Sequence, residues 1–115
     1  MIGSIPTIQG KTIDSLNELN FAMALEKLEI EYIYKYNIRA MALRGGMQVD
    51  FVILPFYWPA EIQVEYWHPE NDPDWVLKKA AEFQEFGREP VEFTFEQTET
   101  VEAAEEAIKE SSLYY

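Results

Sequence analysis

Asp50, Gln63 and Glu65 lie inside the two most strand-like segments of the chain. Alternation along a strand puts Asp50 on the face opposite Val49 and Phe51, and puts Gln63 and Glu65 together on one face. If the two strands pair, one register brings these oxygen-bearing side chains together. Oxygen ligands suit a hard cation such as Mg²⁺, which usually takes one or two carboxylates plus waters and a phosphate. The alternative is a solvated sheet face.

A bound Mg²⁺ or Mn²⁺ would neutralise a phosphate oxygen and lower the pKa of an attacking water. We therefore predict Asp50, Gln63 and Glu65 as metal ligands. The chain has no cysteine, which excludes thiolate metal sites and disulfides and fits a cytoplasmic protein. No apolar run approaches the roughly 18 to 20 residues that a membrane span needs.

Helices and strands must bring these residues together. Capping signals and apolar periodicity predict helices over residues 15–28, 73–86 and from Thr98 or Thr100 to about residue 110. Alternation predicts strands over residues 29–38, 47–54, 60–67 and 90–97, with Pro55 and Pro59 in a turn outside any central ladder. Residues 1–13 are expected to form an irregular lead-in.

The first three strands follow one another closely, which predicts an antiparallel meander. The fourth strand is reached through a helix and should pair parallel to one of them. The predicted fold class is α/β. We expect a three-layer sandwich of order α-β-β-β-α-β-α, with a mixed four-stranded sheet, in a single domain over residues 1–115.

This element order, with its strand-borne Asp50 and the tripeptide Gln63-Val64-Glu65, resembles the PD-(D/E)XK nuclease superfamily over residues 15–108. In that restriction-endonuclease-like core, a helix-borne Glu, an Asp on the second strand and a (D/E)-x-K tripeptide on the third form a Mg²⁺ site. The resemblance implies that Glu18 takes the helix position. Gln63 then replaces the acid and Glu65 replaces the lysine. A lysine from the neighbouring helix, Lys78 or Lys79, is the candidate substitute.

The segment from Val64 to His68 also resembles the third-strand ending of very-short-patch-repair endonucleases. That resemblance implies a catalytic or water-positioning role for His68. For two of these residues, a purely structural role is the alternative to a role in catalysis. Glu18 could simply complete a capping box with Ser15, and His68 could be a surface residue beside Pro69.

The net charge of −12 is evidence against generic nucleic-acid binding, because phosphate binding normally requires a basic surface. Residues 32–49 nevertheless contain no acid and three bases. We predict that Lys35, Arg39 and Arg44 would contact phosphates.

The resemblance implies a metal-dependent DNA endonuclease that hydrolyses phosphodiester bonds with an activated water. Its catalytic residues would be Asp50, Gln63, Glu65, His68 and Glu18. At this size we expect a homodimer, or a DNA-binding partner protein, and no membrane association. The alternative is a catalytically inactive relative that serves as a structural or protein-interaction module, for example one derived from a phage.

Overall fold

The predicted order of helices and strands is present in the computed structural model, which describes residues 6–38 and 47–114. The strands are β1 (Thr7–Ile8), β2 (Lys11–Thr12), β3 (Tyr32–Asn37), β4 (Gln48–Ile53), β5 (Trp58–Ile62) and β6 (Val91–Phe93). The helices are α1 (Leu16–Lys27), α2 (Trp75–Phe86) and α3 (Val101–Lys109). One-turn 3₁₀ helices span Pro69–Asn71 and Glu96–Thr98.

The main sheet has the order β3-β4-β5-β6. Strands β3, β4 and β5 pair antiparallel, and β6 pairs parallel to β5. The predicted α/β class, the meander and the mixed four-stranded sheet are therefore confirmed. The parallel pairing follows from the intervening α2, since a parallel neighbour cannot be reached by a tight turn.

Helices cover both faces of the sheet and enclose two apolar clusters. The larger cluster joins α1 and α3 to one face, where the rings of Phe21, Phe51 and Phe93 are in contact. The smaller one places Ala81 of α2 with Val49 and Val52 on the other face. The sheet is buried between them, so a polar side chain on a central strand must find partners inside the protein.

The lead-in is not irregular, contrary to the prediction. Strands β1 and β2 form a hairpin whose turn residues, Gln9 and Gly10, both have positive φ (53° and 80°). Such turns match the twist of paired strands. The Gln9 side chain also donates to the Tyr32 carbonyl at 2.7 Å and accepts from the Tyr34 amide at 2.9 Å. The hairpin thereby covers the exposed edge of β3.

The prediction for the third strand is wrong in its limits. Strand β5 begins at Trp58 and ends at Ile62, rather than covering residues 60–67, and it includes Pro59. Proline is tolerated here because Pro59 lies opposite Val52, while β6 begins to pair with β5 only at Ala60. The missing N–H of Pro59 therefore interrupts no ladder bond.

The helix ends follow local side-chain chemistry. Helix α2 begins at Trp75, two residues later than predicted, because the Asp72 carboxylate accepts from the Asp74 amide at 3.0 Å and forms a turn first. Gly87 ends α2 in the left-handed conformation, with φ of 72°, directly after residue 86, the predicted last residue of this helix. Thr100 caps α3 through the Ala103 amide. Within residues 6–38 and 47–114, no helix has the length and apolarity to cross a membrane.

Candidate functional site

The carboxyls of Asp50 and Glu61 lie next to each other on the two central strands of the sheet, where the β4–β5 pairing ends. Strands β4 and β5 pair with Phe51 opposite Ala60, and continuing this register by one residue brings Asp50 to Glu61. The Asp50 Oδ2 atom accepts from the Ile62 amide at 2.8 Å. This bond fixes the Asp50 carboxylate against the end of β5, beside the Glu61 carboxylate.

Helix α2 adds a base and a third acid to this pair. Lys78 and Glu82 lie one turn apart on the side of α2 that faces the sheet, where Ala81 is fully buried. The Lys78 Nζ atom donates to Glu61 Oε2 at 3.0 Å. Glu82 is only 1% exposed. Asp50, Glu61, Glu82 and Lys78, which we call the acid cluster, thus join two central strands to one helix.

The acids of the cluster hold their protons unusually strongly. Burial, together with the nearby charge of Glu61, raises the pKa of Asp50 to about 8. Burial also raises the pKa of Glu61 to about 8, although Lys78 opposes the shift. The pKa of Glu82 is raised in the same way. Three carboxyls that share one lysine cannot all be ionised at low cost in a water-poor site.

Lys78 stays charged in this environment. Burial alone would lower its pKa, but the charges of Glu61 and Asp50 raise the pKa of the Lys78 ammonium above its ordinary value. The ammonium is therefore the cation that balances the cluster in this structure. Any second cation would interact with the carboxylates that now bind Lys78.

The cluster still has unused acceptor atoms. Glu61 Oε1 and Glu82 Oε2 are buried and accept no hydrogen bond from the described residues. A buried carboxylate oxygen without a donor is costly. Either a shared proton or a bound cation would satisfy these atoms.

Gln63 follows the last residue of β5 and, with Asp50 and Glu61, lines a pocket above the acid cluster. Its backbone amide donates to the Phe93 carbonyl at 2.9 Å, which continues the β5–β6 pairing by one residue. The side chain is half-buried. Gln63 and Asp50 therefore line one pocket, in which Gln63 lies beyond Glu61; its role as a metal ligand stays a prediction.

Glu18 is buried on α1 and lines the pocket as well. The Ser15 hydroxyl caps the Glu18 amide at 3.2 Å, but the Glu18 carboxyl turns inward and accepts from the Tyr34 hydroxyl. The capping-box alternative is therefore only half right. Burial raises the pKa of Glu18, and the charge of Asp50 adds to this effect.

Glu65 and His68 do not join the cluster. Both are exposed, and neither lines the pocket. The reason is that β5 ends at Ile62, so the alternation that was extended to Glu65 no longer applies. His68 faces Glu70 at 4.0 Å on the surface.

Of the three residues predicted to contact phosphates, the structure describes only Lys35. The Lys35 ammonium binds Asp14 at 3.0 Å and the Thr12 carbonyl at 2.8 Å. Lys35 has a positive φ of 55°, which interrupts the β3–β4 ladder next to Asp50 and turns its side chain toward β2. Arg39 and Arg44 lie outside the described residues.

The acid cluster forms the base of a pocket of about 260 Å³. The Trp67 and Trp75 rings form one wall, with their centroids 6.4 Å apart. Acidic side chains outnumber basic ones among the lining residues, which include Lys79 as the second base. A phosphate would be repelled from this pocket unless a cation entered with it.

The donor set suits a hard divalent cation, since it offers carboxylate and amide oxygens and no sulfur. Asp50 and Glu61 could hold such an ion, and the unpartnered Glu61 Oε1 is available to it. Within residues 6–38 and 47–114, no three Asp, Glu or His side chains are grouped as a complete metal site. An ion held there would take two protein carboxylates and would complete its shell with water.

Sequence reasoning missed Glu61 and Glu82. Glu61 lies within the predicted third strand and, by alternation, on the same face as Gln63, so the period-2 pattern was an available signal. The i, i+4 spacing of Lys78 and Glu82 around the small residue Ala81 was an available signal. It indicates a polar stripe on the inner face of α2.

Comparison with protein-family models, with curated proteins and with solved structures finds no significant match to this chain.

Proposed function

We propose that the chain is a metal-dependent DNA endonuclease with a restriction-endonuclease-like, PD-(D/E)XK-type core. The observation that carries the proposal is the adjacency of Asp50 and Glu61. These half-buried carboxyls lie on neighbouring central strands, and Glu61 Oε1 accepts no hydrogen bond from the described residues. Such a pair is costly to fold without a ligand, which favours a binding role over a purely structural one.

The register of β5 also improves the match to the superfamily's tripeptide. Glu61-Ile62-Gln63 now takes the (D/E)-x-K positions, so the acid is present and only the lysine is replaced, by Gln63. Lys78 on α2 brings an ammonium to 3.0 Å from Glu61 Oε2. Glu18 on α1 supplies the helix-borne acid. This assignment replaces Gln63-Val64-Glu65, and it leaves Glu65 and His68 without a role in the proposed site.

In this proposal Asp50 and Glu61 hold Mg²⁺ or Mn²⁺. When bound, the ion would neutralise a phosphate oxygen and acidify a water molecule. The Ile62 amide keeps the Asp50 carboxylate oriented. Lys78 exchanges part of its interaction with Glu61 for one with the phosphate, and Glu82 keeps the ammonium near the site. The Gln63 side chain, which lines the same pocket, would orient the nucleophilic water.

The proposal is tested by nicking of supercoiled plasmid at low salt with Mg²⁺ or Mn²⁺. We expect Glu61→Gln and Asp50→Asn to lower the rate by at least about 10²-fold, a typical loss for a group that acts directly in catalysis. Glu65→Gln is the matched control, because it makes the same chemical change on an exposed residue three positions beyond β5. No cleavage by the wild type with either ion, or equal loss in Glu65→Gln, contradicts the proposal.

A catalytically inactive module is the second candidate. It is favoured by the Lys78 ammonium, which already balances the cluster, and by the lack of a complete metal-ligand group in the described residues. In that case Asp50, Glu61, Glu82 and Lys78 form a buried polar network that only specifies the fold. This candidate predicts no binding of Mn²⁺ and no nicking. Homodimer formation and a DNA-binding partner stay predictions under either function.

A further inference from the structure

A second concave surface lies away from the acid cluster, beside the turn that joins β4 to β5. We call it the hairpin groove. Its volume is about 520 Å³, and it shares no lining residue with the pocket above the acid cluster. Apolar side chains form most of its wall, among them Ile30, Ile53, Leu54, Trp58 and Leu113.

The groove presents apolar surface to solvent. Phe56 at the turn is 56% exposed, and Tyr114 at the other rim is 40% exposed. Between them lie Leu54 and Trp58, which are half-buried. Single exposed apolar residues are ordinary, but a contiguous apolar concavity with a polar rim marks an interaction site.

The charged residues that line the groove are all acidic. Glu29 and Glu31 are both exposed at its rim, and no basic side chain lines it. Neither carboxylate forms an ion pair with a base in the described part of the chain. The rim is therefore complementary to a positively charged occupant.

Two helix ends add to this negative potential. Residues 28–31 follow the last turn of α1, and residues 112–114 come shortly after the last turn of α3; both segments line the groove. The C-terminal end of a helix carries a partial negative charge that favours cations. The Arg88 guanidinium carbon lies 4.5 Å from the Trp58 ring centroid, so one face of this indole already carries a cation from outside the groove lining.

We propose that the hairpin groove docks a short cationic peptide segment with apolar side chains, supplied by a partner protein. A second copy of this chain is a poor occupant, since each copy carries a net charge of −12. An anionic membrane surface would also be repelled. The proposal does not depend on the nuclease function, because the groove and the acid cluster have separate linings.

The test is fluorescence anisotropy with a short fluorescein-labelled peptide of alternating lysine and leucine, in EDTA at moderate salt. We expect saturable binding by the wild type, unchanged in Asp50→Asn. The double variant Glu29→Lys/Glu31→Lys should weaken binding at least about tenfold, since each tenfold change corresponds to about 1.4 kcal/mol. Phe56→Ala should also weaken it, while Phe83→Ala on the exposed side of α2 should not.

The matched control is Glu99→Lys/Glu102→Lys. It changes the net charge equally, on exposed residues at the start of α3 that do not line the groove. Binding by this control should stay within about twofold of the wild type. Equal weakening in both double variants would show general charge attraction and overturn the proposal. No peptide binding, or a dimer in sedimentation that Phe56→Ala dissociates, would overturn it as well.

Discussion

At the scale of single residues, Asp50 is an acid between Val49 and Phe51 in an apolar strand. Its carboxylate accepts from the Ile62 amide and lies near the charges of Glu61 and Lys78. Glu61 was not predicted, although alternation places it on the same face as Gln63. The end of β5 at Ile62 makes Glu61, and not Glu65, the neighbour of Asp50, and no local sequence signal reveals that end.

The raised pKa of Asp50 predicts how stability changes with pH. Between about pH 4 and pH 8 the folded protein keeps a proton on Asp50 that the unfolded chain has released. The free energy of unfolding should therefore fall as pH rises through this window, by up to about 1.4 kcal/mol per pH unit for one proton. Asp50→Asn removes this group and should make the decline shallower.

Urea denaturation at several pH values between 5 and 9 measures this effect. Glu65→Gln serves as the control and should keep the slope of the wild type, because Glu65 is exposed. Parallel curves for wild type and Asp50→Asn would contradict the assignment of a buried, protonated carboxyl at this position.

At the scale of helices and strands, the features that depend on residues close together in the chain could be predicted from the sequence. Thr100 caps α3 and Gly87 ends α2, since both act through backbone groups a few residues away. The same rules did not show that residues 7–12 form a hairpin, because the Gln9-Gly10 turn lacks the usual Asn-Gly or Asp-Gly pair. The inner face of α2 depends on packing against β4 and β5, which is a long-range property.

Helix α2 carries two adjacent lysines that the structure distinguishes. Lys78 binds the half-buried Glu61 at 3.0 Å, whereas Lys79 binds the more exposed Glu92 at 3.5 Å. Lys78→Met should lower the free energy of unfolding at pH 8 by about 3 kcal/mol, since it leaves buried acids without their base. Lys79→Met should cost less than about 1 kcal/mol.

The loss in Lys78→Met should shrink at pH 5, where the acids of the cluster hold their protons. Thermal melts of both variants at pH 5 and pH 8 give the comparison. Equal destabilisation by the two substitutions, or a loss in Lys78→Met that does not depend on pH, would show that Lys78 is not the counter-ion of the cluster.

At the scale of the whole molecule, the net charge of −12 limits how the proposed nuclease could meet DNA. The pocket is mainly acidic, and Lys35 is already bound to Asp14. A divalent cation would reduce the negative charge at the site, and a basic partner at the hairpin groove would reduce the net negative charge of the assembly. In both cases the positive charge comes from outside the chain, so the chain's own acidic composition does not include it.

Isothermal titration with Mn²⁺ at pH 7.5 measures whether Asp50 and Glu61 together bind one divalent cation, on which the proposed function depends. We expect about one Mn²⁺ to bind per chain. Binding should be lost in Asp50→Asn and Glu61→Gln and retained in Glu65→Gln. Its affinity should rise with pH toward about 8, because the ion displaces protons from the carboxyls. No binding by the wild type, or equal binding by the wild type and all three variants, would contradict a metal site at Asp50 and Glu61.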